Sequence, residues 1–296
     1  MVKLSIVILN YNTKDLTLNC LNSVVEQYEK KLEKNEFEII LVDNNSTDDS
    51  VLSIKKYVLK KGLPNLKIIE NKENLGFSKG NNLGAKQALG EYILFLNSDT
   101  EIKDMGLVRM LEFMESNSNV GIVGGRLKNP DNSIQKSAGK FYTLFNVILL
   151  LLGGERLGLL RESPSKVSRT DWVSGACMMA RKEIFKNLGG FEEKLFMYME
   201  DMELCFRAKK KGYLTYFYPN IELLHKERGS SNRTFAIIHI YGGILFFYKK
   251  YMPLWQYNLV KRLLFLKALF IRNLGKIIGN KYYINTYGQA LELFKK

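Results

Sequence analysis

The sequence predicts an α/β fold built on a mostly parallel central sheet, and three observations predict it. Short runs at residues 4–9, 37–42 and 92–96, apolar but for Ser5 and Glu38, read as strands buried on both faces. Segments with apolar residues at helical spacing lie between such runs, so strand and helix alternate. Each of the three runs opens into a polar loop, at residues 10–12, 43–49 and 97–99. Parallel strands joined by right-handed crossovers bring those loops to one edge of the sheet, where ligands bind in open α/β folds.

Taken in order, residues 4–9 form a first strand and 14–34 a helix with Leu18, Leu21, Val25 and Tyr28 at helical spacing. Residues 37–42 form a second strand, and Ser46, Thr47 or Asp48 in the loop behind it is placed to cap the following helix. Residues 66–69 make a third, short strand. Gly76 and Gly80 punctuate the loop at 74–82, which runs into a helix ending near Gly90. The strand at 92–96 then delivers Asn97, Ser98 and Asp99 to its carboxyl end, where a carboxylate meets a ligand or its metal. The same three residues also read as a polar turn. Residues 121–127 are a further strand, and 128–170 are irregular apart from an apolar island at 144–152. That island is too short to span a bilayer and reads as a buried or interfacial helix. Residues 172–180 read as another apolar strand with Gly175 inside it. Gly189-Gly190-Phe191 leads through an aromatic run to Glu200, Asp201 and Glu203, at the head of a helix that ends in Lys209, Lys210 and Lys211. The helix dipole alone accounts for that charge order. It does not account for Gly-Gly-Phe or the aromatic run.

The 296 residues suffice for one large domain with an appendage, divided here as 1–232 and a C-terminal helical region at 233–296. Charge is distributed unevenly. Residues 209–296 hold sixteen Lys and Arg against three Glu, which is +13 of the net +14. Such a tail seeks anionic lipid, nucleic acid or an acidic partner. Residues 235–248 carry no Lys, Arg or acid but are interrupted by Gly242-Gly243. Between 257 and 276, Lys261, Arg262, Arg272 and Lys276 fall mainly on one helical face, and Leu259, Leu263, Leu266 and Phe270 help cover the rest. Neither segment is long and apolar enough to span. An amphipathic helix lying on a membrane surface and a helix packed on its own domain both fit. Aromatics mixed with long aliphatic runs suit lipid better than bases, so no nucleic acid partner is expected.

The three cysteines, Cys20, Cys177 and Cys205, are far apart and form no CxxC pair, which points to a reducing compartment. The run at 4–9 is too short for a signal peptide, so a cytoplasmic location is expected. With no GxGxxG after the first strand and no GxxxxGK[ST], dinucleotide and P-loop chemistry lose their main support.

The opening Ser-Ile-Val-Ile-Leu-Asn-Tyr-Asn, the Val42-Asp43-Asn44-Asn45-Ser46-Thr47-Asp48 loop and Asn74-Leu75-Gly76-Phe77 resemble the family 2 glycosyltransferases. Leu96-Asn97-Ser98-Asp99-Thr100, Trp172-Val173-Ser174-Gly175-Ala176, Gly189-Gly190-Phe191 and Tyr198-Met199-Glu200-Asp201 follow in the family's order, and His225 with Gly229 and Ser230 closes the set. The resemblance covers roughly residues 3–232 and is nearest the bacterial rhamnosyltransferase-like branch. It implies a GT-A fold, a divalent cation (Mn2+ or Mg2+) and inverting transfer of rhamnose or another hexose from a dTDP- or UDP-sugar. The acceptor it implies is lipid-linked or a polysaccharide in cell-surface glycan synthesis, which suits a protein peripheral on the inner face of the plasma membrane. By resemblance Asp201 is the general base and Glu200 positions the acceptor, with Trp172, Ser174 and Gly175 on the acceptor side. Asp99 and His225 are the metal ligands. Asn10, Tyr11, Asn12, Asp43, Asn45, Asn74, Gly76, Phe77, Asn81, Asn97 and Ser98 bind the donor, with Asp43 accepting from the N3–H of a uracil or thymine ring. A lone histidine in the absence of that resemblance reads as a structural hydrogen-bonder. Asn97 departs from the usual metal motif, which carries an acid there; an amide oxygen holds a dication more weakly. The alternative is a non-catalytic nucleotide-sugar-binding protein at the membrane surface.

Overall fold

The structure is a computed structural model and describes residues 1–63, 66–154, 158–226 and 232–295. Gly229 and Ser230 lie outside the described residues.

The first half alternates as the apolar runs dictate: β1 (Leu4–Asn10), α1 (Lys14–Glu33), β2 (Phe37–Asp43), α2 (Ser50–Lys61), β3 (Leu66–Glu70), α3 (Gly76–Gln87) and β4 (Tyr92–Asn97). Then come β5 (Thr100–Ile102), α4 (Gly106–Ser116), β6 (Val120–Lys128), β7 (Ile134–Gln135), β8 (Ala138–Gly139), α5 (Leu144–Leu151), β9 (Arg161–Glu162) and β10 (Ser168–Thr170). The chain continues through β11 (Trp172–Val173), β12 (Cys177–Arg181), α6 (Lys182–Asn187), α7 (Glu200–Lys210), β13 (Leu214–His225), α8 (Arg233–Tyr251), α9 (Leu254–Ile277) and α10 (Lys281–Glu292).

Two compact units result. One holds Met1–Gly139, Arg161–Phe196 and Asp201–Ser230; the other holds Lys140–Leu160, Met197–Glu200 and Ser231–Lys296. In the first unit the main sheet runs β10-β13-β6-β12-β4-β1-β2-β3. The pairs β4-β1, β1-β2, β2-β3 and β6-β13 are parallel, whereas β12 is antiparallel to both its neighbours. The carboxyl ends of β1, β2, β4 and β13 and the amino end of β12 therefore share one edge. β1 and β2 are buried on both faces, which is why their sequences do not alternate. Leu21, Val24, Val25 and Tyr28 of α1 pack into the same core.

One expected element is not continuous. The apolar run at 172–180 is broken at residues 174–176: β11 pairs with β8 in a small three-stranded sheet, and β12 joins the main sheet. The break falls at Ser174-Gly175, a turn-forming dipeptide in an otherwise apolar run, and contacts with Ser137 and Asp201 fix it. All three cysteines are free and buried, and burial pushes each thiol up to about 12.

In the second unit, Asn232 and Asn280 cap α8 and α10 by accepting from Phe235 N (2.9 Å) and Tyr283 N (3.1 Å). Thr143 caps α5. That helix is not simply buried: Val147 is inside while Phe145 and Leu152 are exposed. Among the described residues no helix is long and apolar enough to cross a membrane.

Candidate active site

Side-chain amides and hydroxyls tie together the loops at the functional edge. Asn10, buried at the end of β1, donates to Asp43 Oδ1 (2.6 Å) and Ser46 Oγ (2.9 Å), and accepts from Thr13 Oγ1 (2.8 Å) and Thr17 Oγ1 (2.6 Å). Its side chain is fully used in joining β1 to the β2 loop. Asn12 does the same from the left-handed region (φ 52), which Asn tolerates: Oδ1 accepts from Thr47 N at 2.7 Å. Ser46 and Thr47 thus face Asn12 rather than capping α2. Asp48 serves two helix starts, accepting from Lys14 N (2.9 Å) at α1 and Ser50 N (3.2 Å) at α2. Asp43 is held on both oxygens, by Asn10 and by Ser46 N (2.9 Å), which leaves one acceptor lone pair on each oxygen.

The next loop is attached by Asn44, which donates to Gly76 O (3.0 Å) and accepts from Asn71 Nδ2 (2.8 Å). Asn74 Oδ1 accepts from Gly76 N at 2.9 Å. Gly76 (φ +74) has no room for a side chain, because a Cβ would sit 2.4 Å from Phe196 O. Asn81 is buried inside α3 and donates back to Phe77 O (3.0 Å). Asn45 is exposed and Tyr11 is half-buried.

At the end of β4, Ser98 Oγ lies 3.1 Å from Thr13 Oγ1. β13 pairs with β5 so that His225 lies opposite Thr100, and this brings His225 Nε2 to 3.2 Å from Asp99 Oδ1 and 3.4 Å from Asn97 Nδ2. The ring's other nitrogen is fixed from behind. Gln135 donates its amide to Asn129 Oδ1 (2.9 Å), so its Oε1 faces the ring and accepts from His225 Nδ1–H at 2.6 Å. In the neutral imidazole that leaves the Nε2 lone pair pointing at a carboxylate. A cation between that lone pair and the carboxylate satisfies both, as a proton on Nε2 also does. The described residues contain no cluster of three or more His, Cys, Asp or Glu that would hold a metal unaided. One carboxylate and one imidazole beside an amide fit a dication whose remaining ligands are phosphate oxygens and water.

The turn between β11 and β12 carries the other half of the site. Gly175 N donates to Asp201 Oδ2 (3.1 Å), and Asp201 Oδ1 accepts from Met202 N (2.7 Å). A Cβ on Gly175 would sit 3.0 Å from Phe77 Cζ and 3.8 Å from Asp201 Cβ, so this glycine brings the α3 loop and Asp201 together. Burial pushes the Asp201 carboxyl up, while the Gly175 and Met202 amides and the Arg161 charge pull the other way. Ser174 lies in the same turn, its backbone N donating to Ser137 O (2.8 Å). Glu200 is buried at the first turn of α7. The approach to α7 is strained: Tyr198 (φ 71) and Met199 (φ 76) are consecutive left-handed residues, neither of them glycine. Gly190 (φ +75) meets Asn82, whose side chain accepts from Phe191 N (2.9 Å) and donates to Phe191 O (2.9 Å). Phe191 then packs edge-on to Phe77 and Phe95.

Asp43, Asn97, Ser98, Asp99, Gly175, Asp201 and His225 thus lie along one sheet edge, with Gly76 and Phe77 beside them. Trp172 is set apart: it is buried in the small sheet with the Arg161 guanidinium 5.6 Å over its ring. Sequence reasoning missed Gln135, Asn44, Asn82 and Arg161. Asn44 lay inside a quoted motif, whereas Gln135 falls in a stretch with no periodicity to mark it.

O-antigen biosynthesis protein RfbC of Myxococcus xanthus is 29% identical over 238 residues, covering 77% of this chain. The chain spans only 18% of that relative's length. The N-acetylglucosaminyl-diphospho-decaprenol L-rhamnosyltransferase of Mycobacterium tuberculosis (strain ATCC 25618 / H37Rv) is 27% identical over 219 residues, 66% of this chain and 68% of its own. A mannosyltransferase from Pyrobaculum calidifontis, solved with GDP-Man and Mn2+, superposes with a TM-score of 0.59 at 15% identity, covering 98% of this chain and 84% of that one. The fold is accordingly GT-A. The model of glycosyl transferase family 2 matches residues 5–189, from β1 to the first glycine of Gly189-Gly190-Phe191, and the chain belongs to that family.

Proposed function

We propose that the chain transfers rhamnose or another hexose, with inversion, from a dTDP- or UDP-sugar to a lipid-linked or polysaccharide acceptor in cell-surface glycan synthesis. The observation that carries this reading is the pairing of two arrangements at one edge: a carboxylate strengthened as a base by burial at Asp201, and an acid–imidazole pair at Asp99 and His225. Asp201 takes the proton of the acceptor hydroxyl as that oxygen attacks the anomeric carbon. The bond from that carbon to the diphosphate breaks, and its electron pair leaves on the diphosphate oxygen. Mn2+ or Mg2+, held by Asp99 and His225, would supply positive charge for the leaving group. Glu200 orients the acceptor. Asp43 accepts from the base, and Asn12, Asn74, Gly76, Phe77, Asn97 and Ser98 line the ribose and diphosphate. The rhamnosyl transfer to a diphospho-decaprenol in the mycobacterial relative's name supports the sugar and the lipid-linked acceptor, and GDP-Man with Mn2+ in the archaeal structure supports a nucleotide sugar and a dication.

The test is a donor panel. Thermal shift and turnover are measured with UDP-, dTDP- and GDP-sugars, with Mn2+ or Mg2+ and again with EDTA. A cation-dependent shift with a uracil or thymine nucleotide, together with release of the diphosphate, is expected. Binding without turnover on any acceptor would favour a non-catalytic sugar-nucleotide-binding protein. No response to any donor would overturn the reading.

A further inference from the structure

Helix α9 has two apolar faces, and only one of them is covered. Val260, Leu264, Ala268 and Gly275 are fully buried along one side, where the helix packs with α10, α8 and α5. On the opposite side Trp255, Leu259, Leu266, Phe270 and Ile277 recur at spacings of 4, 7, 4 and 7, which returns to the same face of a helix. That stripe is open to solvent: Trp255 is 60% exposed, Phe270 66% and Ile277 83%. It runs nearly the whole helix, on the order of 30 Å. Arg262 and Lys276, both exposed, sit on its shoulder. Neither α8 nor α9 contains a carboxylate, and residues 233–296 hold eleven Lys and Arg against one Glu.

Packing on its own unit and lying on a membrane were alternatives for this segment, and the two faces of α9 meet both. The occupant of the open face must satisfy its charge and its apolar surface together. An acidic protein or a nucleic acid would neutralise the cations and leave a stripe of Leu, Phe and Ile wet. A second copy of the chain would cover the stripe but bring two sets of the same cations together, which opposes association. We infer that α9 lies in the plane of an anionic bilayer surface, with Leu266 and Phe270 sunk into the headgroup–acyl boundary and Arg262 and Lys276 at the phosphates. None of these residues belongs to the donor site, so the inference stands or falls separately from the transfer reading.

The experiment is co-sedimentation of the full chain with phosphatidylcholine vesicles, with and without phosphatidylglycerol, at low and high salt. The protein pellets with the anionic vesicles at low salt and is released by salt. Arg262→Gln with Lys276→Gln lowers the partition coefficient roughly 30-fold, at about fivefold per charge. Leu266→Glu with Phe270→Glu abolishes pelleting without changing the circular dichroism or Tm, because both side chains are already exposed. Asp201→Asn pellets like the wild type whatever its activity. Wild-type protein in the supernatant with anionic vesicles at low salt overturns the inference, as does undiminished pelleting of the Leu266→Glu, Phe270→Glu variant. A wild type that is dimeric without vesicles, and monomeric when those two residues are replaced, assigns the stripe to a second copy instead.

Discussion

At Asp201 a half-buried carboxylate has each of its oxygens held by one backbone N–H. Burial strengthens it as a base; the two amides keep it aimed. Asp201→Asn should leave donor affinity nearly unchanged and reduce turnover by about 10²–10⁴-fold. Near-normal turnover would remove Asp201 from that role. In the proposed role Asp201 works deprotonated and its pKa is raised, so the acid limb of the kcat/KM profile should lie above the ordinary range for Asp, about 3.9. Linkage gives the stability counterpart. A group whose pKa is higher in the folded state contributes stability that is complete below its unfolded pKa and lost as pH rises through the folded one. Tm should therefore decline across that window in the wild type, and this component should be missing in Asp201→Asn. Gln135 acts one step back from the chemistry. Gln135→Leu removes the acceptor that fixes the His225 tautomer and should weaken Mn2+ affinity about 10–100-fold, read by titration calorimetry with UDP present. Gln135→Glu, which keeps an acceptor there, should restore it.

At the scale of elements, the β11–β12 turn is where the site is assembled. Gly175→Ala would push a methyl against Phe77 Cζ, displacing either the ring or the amide that holds Asp201. We expect kcat/KM to drop by about tenfold or more with little change in Tm, since the contact orients groups rather than filling a core. A clear fall in Tm with kcat/KM intact would make the turn structural only. This turn also marks the limit of what the sequence discloses. β1, β2 and β4 were legible to within a residue or two because burial on both faces writes itself as runs that are apolar but for Ser5 and Glu38. The β11–β12 break was marked only by Ser174-Gly175, and what turns that dipeptide into a break lies with Ser137 and Asp201, far along the chain. The short strands β7 to β10 exist only through their partners and carry no period of their own. Of the site, the motif residues were legible through resemblance. Gln135 and Asn82 were not, because their contacts lie with His225 and Phe191, far along the chain.

At the scale of the whole molecule, charge and chemistry are kept apart in sequence: residues 1–208 are nearly neutral and carry the site carboxylates, while 209–296 carry +13. Neutral amides fasten most of the loops at this edge, and Asp48 is the acid that ties the start of α1 to the start of α2. Just ahead of Asp201, Tyr198 and Met199 hold a backbone conformation that neither residue favours. Replacing Tyr198 by Asn, which visits the left-handed region readily, should raise stability by about 1 kcal/mol, measured by denaturant unfolding. The same change should slow turnover, because the chain leading into Glu200 and Asp201 would no longer be held by its surroundings alone. Unchanged stability would show that the surroundings already compensate the strain. If the transfer proposed above feeds glycan synthesis, a lineage adapting to heat would find an accessible mutation at residue 198 and lose fitness through slower supply, so Tyr198 marks a place where growth rate and heat tolerance compete.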